Sequence, residues 1–249
     1  MSSAFFIGWD VGGWNCDKNG KSRDAIAILD ARLSLVGRPW RGNLRDAINS
    51  ATNSREWIAQ LFGKCGVESP APDAKCTLAI DTPLGFPSAF LALAMGAQPG
   101  GVIGVAASNP YLYRYTERAL FRGNTGPLSA IKDMIGSQAT KGMHALAKFA
   151  PHIERCGVWS DGEGLRAIEA YPAACRRFAA DRDELNQLSP LGHGDLVDAR
   201  VCALVAAMFA RDAGSLHPPP PEVPIREGWI WVPKEGMIQE LLTGRTRQV

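Results

Sequence analysis

The stretch "CTLAIDTPLGFP", Cys76 to Pro87, decides how the chain is read. Thr77 to Ile80 have the apolar character of a buried strand. Asp81 follows at once, and prolines at 83 and 87 then stop regular structure. A carboxylate at the mouth of a buried strand is costly unless something compensates for it. The same pattern stands earlier, in "AFFIGWD" (4–10), which ends on Asp10. Between them lie "DAIAILD" (24–30) and "ARLSLVG" (31–37), read as two further strands of an antiparallel meander. A segment with helical spacing covers 43–66, with Leu44, Ile48, Trp57, Leu61 and Phe62 near one stripe. The order is β-β-β-α-β. The crossover helix returns the fourth strand parallel to the first. Paired beside it, that strand brings Asp81 and Asp10 to one sheet edge.

Downstream, residues 88–157 read as a helical insertion, containing "SAFLALAMG", "NPYLYRYTERALF" and a long or broken helix over 127–150. It is read as a lid, a partner surface or a homodimer interface. A strand "LRAIEAYP" (165–172) follows and carries Glu169. "AACRRFAADRDELNQLS" reads as helix. "GHGDLVDARVCALVAAMFARD" (192–212) is apolar on all sides beyond Leu196, as a deeply packed helix is. A C-terminal extension from about 213 holds the stiff linker "HPPPPEVP" and "EGWIWVP", a last strand or flap. The expected architecture is one α/β domain over 1–249.

The formal charge of +2 argues for no nucleic-acid partner by itself. Cysteines stand at 16, 65, 76, 156, 175 and 202, with no C-x-x-C pair and no zinc-finger spacing. They read as reduced packing residues. The first ten residues lack the pattern of a signal peptide, and no apolar run approaches the ~20 residues that span a bilayer. A soluble, cytoplasmic protein without membrane association is expected.

Asp10, Asp81 and Glu169 each follow an apolar strand, and Asp195 and Asp198 open the buried helix. Carboxylates gathered at one place repel, so some protonate or a cation binds. Hard oxygen donors favour Mg2+ or Mn2+ over zinc, and such a cluster suits metal-assisted phosphoryl transfer. Each acid also has a purely structural reading. Asp10 can begin a turn before Gly12, and Asp81 can form an Asx-turn ahead of Pro83. Glu169 can lie exposed on an edge strand. Asp195 can be a helix N-cap, with Asp198 at the third helical position.

The pieces "FIGWDVGG", "LAIDTPLGFP", "IEAYPAA", "GDLVDARVCALVAA" and "EGWIWVP" resemble the motif series of the predicted nucleases called domain of unknown function 429. The resemblance runs from about Phe5 to Pro233. It implies a ribonuclease H-like fold, with a five-stranded mixed sheet in order 3-2-1-4-5, flanking helices and an insertion between strands 4 and 5. It implies metal-binding acids at Asp10, Asp81 and Asp198, the last more than Asp195, and a Glu169 of less defined role. Ribonuclease H itself carries a further glutamate on the helix after strand 3. Here that helix offers Asp46 and Glu56, neither in a matching motif.

The function expected is that of a metal-dependent nuclease, hydrolysing phosphodiesters of DNA or RNA at a carboxylate-held Mg2+ or Mn2+. Arg114, Arg118 and Arg122 fall at i, i+4, i+8 and would steer the backbone of a nucleic-acid partner, with Lys21 and Gln138 as further substrate contacts. Lys141 is read as facing the site, and His193 as a proton-transfer or water-positioning group. Two other readings stand. The "WDVGGWN" loop resembles the first phosphate loop of actin-like ATPases and sugar kinases, its glycines letting N–H groups approach a phosphate. A non-catalytic module binding nucleic acid or protein is the third.

Overall fold

The computed structural model describes residues 3–105, 108–120, 126–178, 191–235 and 237. Its centre is β1 (Ala4–Asp10), flanked by antiparallel β2 (Asp24–Leu29) and parallel β4 (Lys75–Asp81). The sheet is mixed and open, with eight strands in the order β3-β2-β1-β4-β7-β6-β5 and β8 added beside β7. Strands β3 (Trp40–Gly42), β7 (Leu165–Ala170) and β8 (Ile230–Trp231) complete the part that concerns the acids. The expectation of five strands is corrected. A hairpin of β5 (His152–Arg155) and β6 (Val158–Ser160) extends the sheet. It turns through Gly157 at φ 71°. This hairpin begins inside the segment read as a helical insertion.

Two other readings change. The third strand is at 40–42, because Asp30 turns the chain over 31–35. Its Oδ1 accepts the N–H groups of Arg32 and Ser34 at 2.8 and 2.9 Å. The helix read over 43–66 is two, α1 (Arg45–Ser50) and α2 (Ser54–Lys64). Asn53 caps α2 by accepting Glu56 N–H at 2.9 Å, while Glu56 reaches back to Thr52 N–H at 2.8 Å. This cap, with Glu56 reaching the residue before the N-cap, restarts the helix. The stripe residues Leu44, Ile48, Trp57, Leu61 and Phe62 are all buried.

In the insertion lie α3 (Ser88–Gly96), α4 (Tyr115–Leu120) and α5 (Gly136–Phe149); α6 (Pro172–Phe178) and α7 (Gly194–Asp212) follow β7. The helical reading of 173–189 lies, from residue 179 onward, outside the described residues. No helix among the described residues is long and apolar enough to cross a membrane. None of the six cysteines is in a disulfide.

The two sheet faces differ in side-chain size, and that difference places the helices. Ile7, Trp9, Ile26, Ile28, Leu78 and Ile80 form one face, in a core shared with α1, α2 and α5. The other face is mostly small, with Gly8, Ala25, Ala27 and Ala79, and α7 lies on it. Gly8 sets the distance. A Cβ there would overlap the Ala199 carbonyl oxygen and stand 2.5 Å from the Ala203 nitrogen. Helix α7 therefore rests its backbone on β1.

Candidate functional site

Asp10 and Asp81 end neighbouring parallel strands and are register partners. Partners across a parallel pair leave the same sheet face. For these two it is the α7 face, two residues beyond Gly8 and Ala79. The row continues sideways, since Asp10 pairs with Ala25 and Ala25 with Arg41. Arg41, Ala25, Asp10 and Asp81 thus form one line across four strands. Asp195 is four residues before Ala199 on α7, on the stripe that meets the sheet. Its Oδ2 accepts Arg41 Nε–H at 2.7 Å and Arg23 N–H at 3.0 Å. Ala25 is small enough to leave room for this pair. Asp198 is one turn further along, with Oδ1 buried from solvent.

Negative charge dominates this corner. The Asp10 carboxyl is pushed up to about 9, first by burial and then by Asp81, Asp195 and Asp24, with Arg41 opposing. Arg41 is committed to Asp195 and to the Gly20 carbonyl, which it meets at 2.9 Å. Near pH 7 Asp10 therefore holds a proton that a divalent cation would displace. Among the described residues, no three Asp, Glu, His or Cys side chains stand close enough to hold a metal as they are. The donor set suits Mg2+ or Mn2+, being carboxylate oxygen throughout.

The N-cap of α7 is His193, not Asp195. His193 Nδ1 accepts the Asp195 N–H at 3.2 Å, which leaves Asp195 free to reach Arg41. Lys21 is exposed on the loop that Arg41 and Arg23 hold at this corner.

Glu169 does not join the cluster. It is in register with Ile80, not Asp81, so it leaves the opposite face. There it is 2% exposed. Both the catalytic and the exposed-edge readings of Glu169 are corrected. Its oxygens accept Arg114 Nη2–H at 2.6 Å and Nη1–H at 2.8 Å, with Leu84 N–H at 3.0 Å. Arg114 is correspondingly buried and cannot meet a nucleic-acid backbone. Burial opposes its charge, but Glu169 and Glu117 raise its proton affinity and keep it ionised. Glu117 accepts Arg114 Nε–H at 2.8 Å, and Glu227 binds Ser88 N–H and Tyr115 N–H, both at 2.8 Å. This network ties α3, α4, β7 and the approach to β8 together.

The arginine stripe dissolves, because α4 begins after Arg114. Arg118 is exposed on α4, and Arg122 lies outside the described residues. Thr116 Oγ1 accepts Ile230 N–H at 3.0 Å, so α4 is held beside β8, across β7 from the acids.

The glycine loop is closed as well. Gly12 N–H is taken by Asp24 Oδ1 at 2.9 Å and Trp14 N–H by Ser137 Oγ at 3.0 Å. Lys141 is buried in an ion pair with Asp24 and also reaches Asn43 Oδ1 at 3.0 Å, so it does not face the acids. Gln138 is half-buried on the same helix, α5, on the face away from α7. Asp24, Arg41 and Gly8 were not legible as site-building residues. The signals were a charged residue opening a fully buried strand and a glycine inside one.

A cleft of about 490 Å3 is at the other end of the sheet, lined by Ser54, Lys75, Asp161 and Leu165 among others. The acids lie at the opposite strand ends. Compared with known proteins, the chain matches no family model, no curated protein and no solved structure.

Proposed function

We propose that the protein is a metal-dependent phosphodiester hydrolase, a nuclease of ribonuclease H-like fold in the domain of unknown function 429 family. One observation carries the reading. Asp10 and Asp81 stand in register at the ends of parallel strands, under the acidic N-terminal turns of α7. The central strand order β3-β2-β1-β4-β7, with β4 and β7 parallel to β1, supports the fold.

Asp10, Asp81 and Asp198 would hold Mg2+ or Mn2+. When bound, the cation supplies the Lewis acidity that activates water and stabilises the leaving oxygen. Asp10 gives up its proton on binding, so affinity rises with pH toward about 9. Asp195, held by Arg41, positions the first turn of α7 over the sheet. Lys21, exposed on the neighbouring loop, would meet a phosphate backbone, and Arg118 would be an outer contact at most. DNA and RNA both present the charge this requires. The nucleotide-binding alternative loses support, because the Gly12 and Trp14 N–H groups of the glycine loop are taken by Asp24 and Ser137.

The test pairs calorimetric Mn2+ binding with cleavage of single- and double-stranded DNA and RNA. The parent chain should bind Mn2+ and cut at least one substrate. Asp81→Asn should lose both while keeping its melting temperature. Undiminished cleavage by that variant refutes the site. Absence of saturable Mn2+ binding by the parent favours the non-catalytic module.

A further inference from the structure

Residues 82–113 contain no Asp, Glu, Lys, Arg or His. This uncharged segment includes α3, "SAFLALAMG", which is apolar along its length yet has no buried residue. In the described residues that follow, apolar side chains stay in solvent. Met95 is 85% exposed, Val102 96% and Val105 78%, with Leu93 and Ile103 exposed beside them. Single exposed apolar residues are ordinary. Five along one segment present on the order of 600 Å2, the upper end of what a typical monomer exposes and a size that is often functional. The loop is held in place, since Tyr111 Oη accepts Gly100 N–H.

We propose that Leu93–Val105 is a homodimer interface, covered by the same segment of a second copy. The patch is self-complementary. About a two-fold axis, apolar surface meets apolar surface with no charge to bury or repel. Its area is most of the ~800 Å2 per partner that a standard interface covers, and half-buried Phe90 and Leu91 on α3 adjoin it. Nucleic acid is a poor occupant, because its affinity needs Lys or Arg. A membrane surface fits less well too. Interfacial helices carry a charged face, and α3 has none.

Light scattering after size exclusion, with sedimentation equilibrium, tests this on the full chain from about 1 to 100 µM. The parent should show twice the chain mass at the upper end. Met95→Glu/Val102→Glu should weaken association at least tenfold, with circular dichroism and melting unchanged. Val105→Lys alone, at a separate exposed position, should weaken it as well. A parent that stays at the chain mass throughout overturns the proposal, as does a dimer that survives both variants. Binding of a monomeric parent to phosphatidylcholine vesicles, lost in the double variant, also overturns it and assigns the patch to lipid.

Discussion

Replacing Asp10 with Asn should stabilise the metal-free protein, and increasingly so as pH rises. The Asp10 carboxyl titrates near 3.8 when unperturbed and at about 9 in the fold. Between those values the folded state holds one proton more than the unfolded state. Stability from this group is therefore whole below about pH 4 and is lost as pH rises toward 9. One proton corresponds to at most ~1.4 kcal/mol per pH unit. From pH 6 to pH 8 the parent should lose about 1–3 kcal/mol that Asp10→Asn keeps, after allowing for the part of Asp10 that solvent screens. The assay is urea denaturation in EDTA at pH 6, 7 and 8, repeated with saturating Mn2+. Without metal the variant should be the more stable protein at pH 8. With Mn2+ the order should reverse, since only the parent gains from binding. A variant that is less stable than the parent in EDTA at every pH would refute the reasoning. Asp10 would then be a structural hydrogen-bonding group, not a carboxyl kept protonated by its acidic neighbours.

Gly8→Val should force α7 off β1, at about 3 kcal/mol or more. That is a melting temperature roughly 6–12 °C lower by calorimetry, with Mn2+ affinity falling because Asp198 moves with the helix. Glu169→Gln should cost about 3–5 kcal/mol by leaving Arg114 under-compensated in the interior. Mn2+ affinity of the folded fraction should stay within twofold of the parent, which calorimetry at low temperature checks; a tenfold loss would return Glu169 to the metal site. Lys141→Met should cost a similar 3–5 kcal/mol through the stranded Asp24. Asp24→Asn with Lys141→Met should recover part of it in urea melts, and strict additivity of the two would argue against the pair.

Much of the framework was legible because it depends on local pattern. Apolar runs capped by Asp10 and Asp81, the stripe from Leu44 to Phe62 and the apolar length of α7 each announce their element. A crossover between β3 and β4 then leaves a parallel β1–β4 pair, seen in the register of Asp10 with Asp81. The misreadings have local causes of another kind. Asp30 and Asn53 redirect the backbone through side-chain hydrogen bonds, which hydropathy does not register. The short hairpin strands depend on pairing, 158–160 with β7 and 152–155 with 158–160, more than on their own composition.

By itself the sequence determined which acids end strands, because strand length and alternation belong to the local chain. Tertiary structure alone decided which acids share a face. Glu169 and Asp81 follow the same apolar-run pattern, yet a one-residue difference in register turns Glu169 to the far side, where Arg114 takes it. A side-chain period of two makes every such offset a change of face. No reading of either strand in isolation contains that offset. It is set by how β4 and β7 pair, with Gly8 and Arg41 then bringing α7 over the face that Asp10 and Asp81 share.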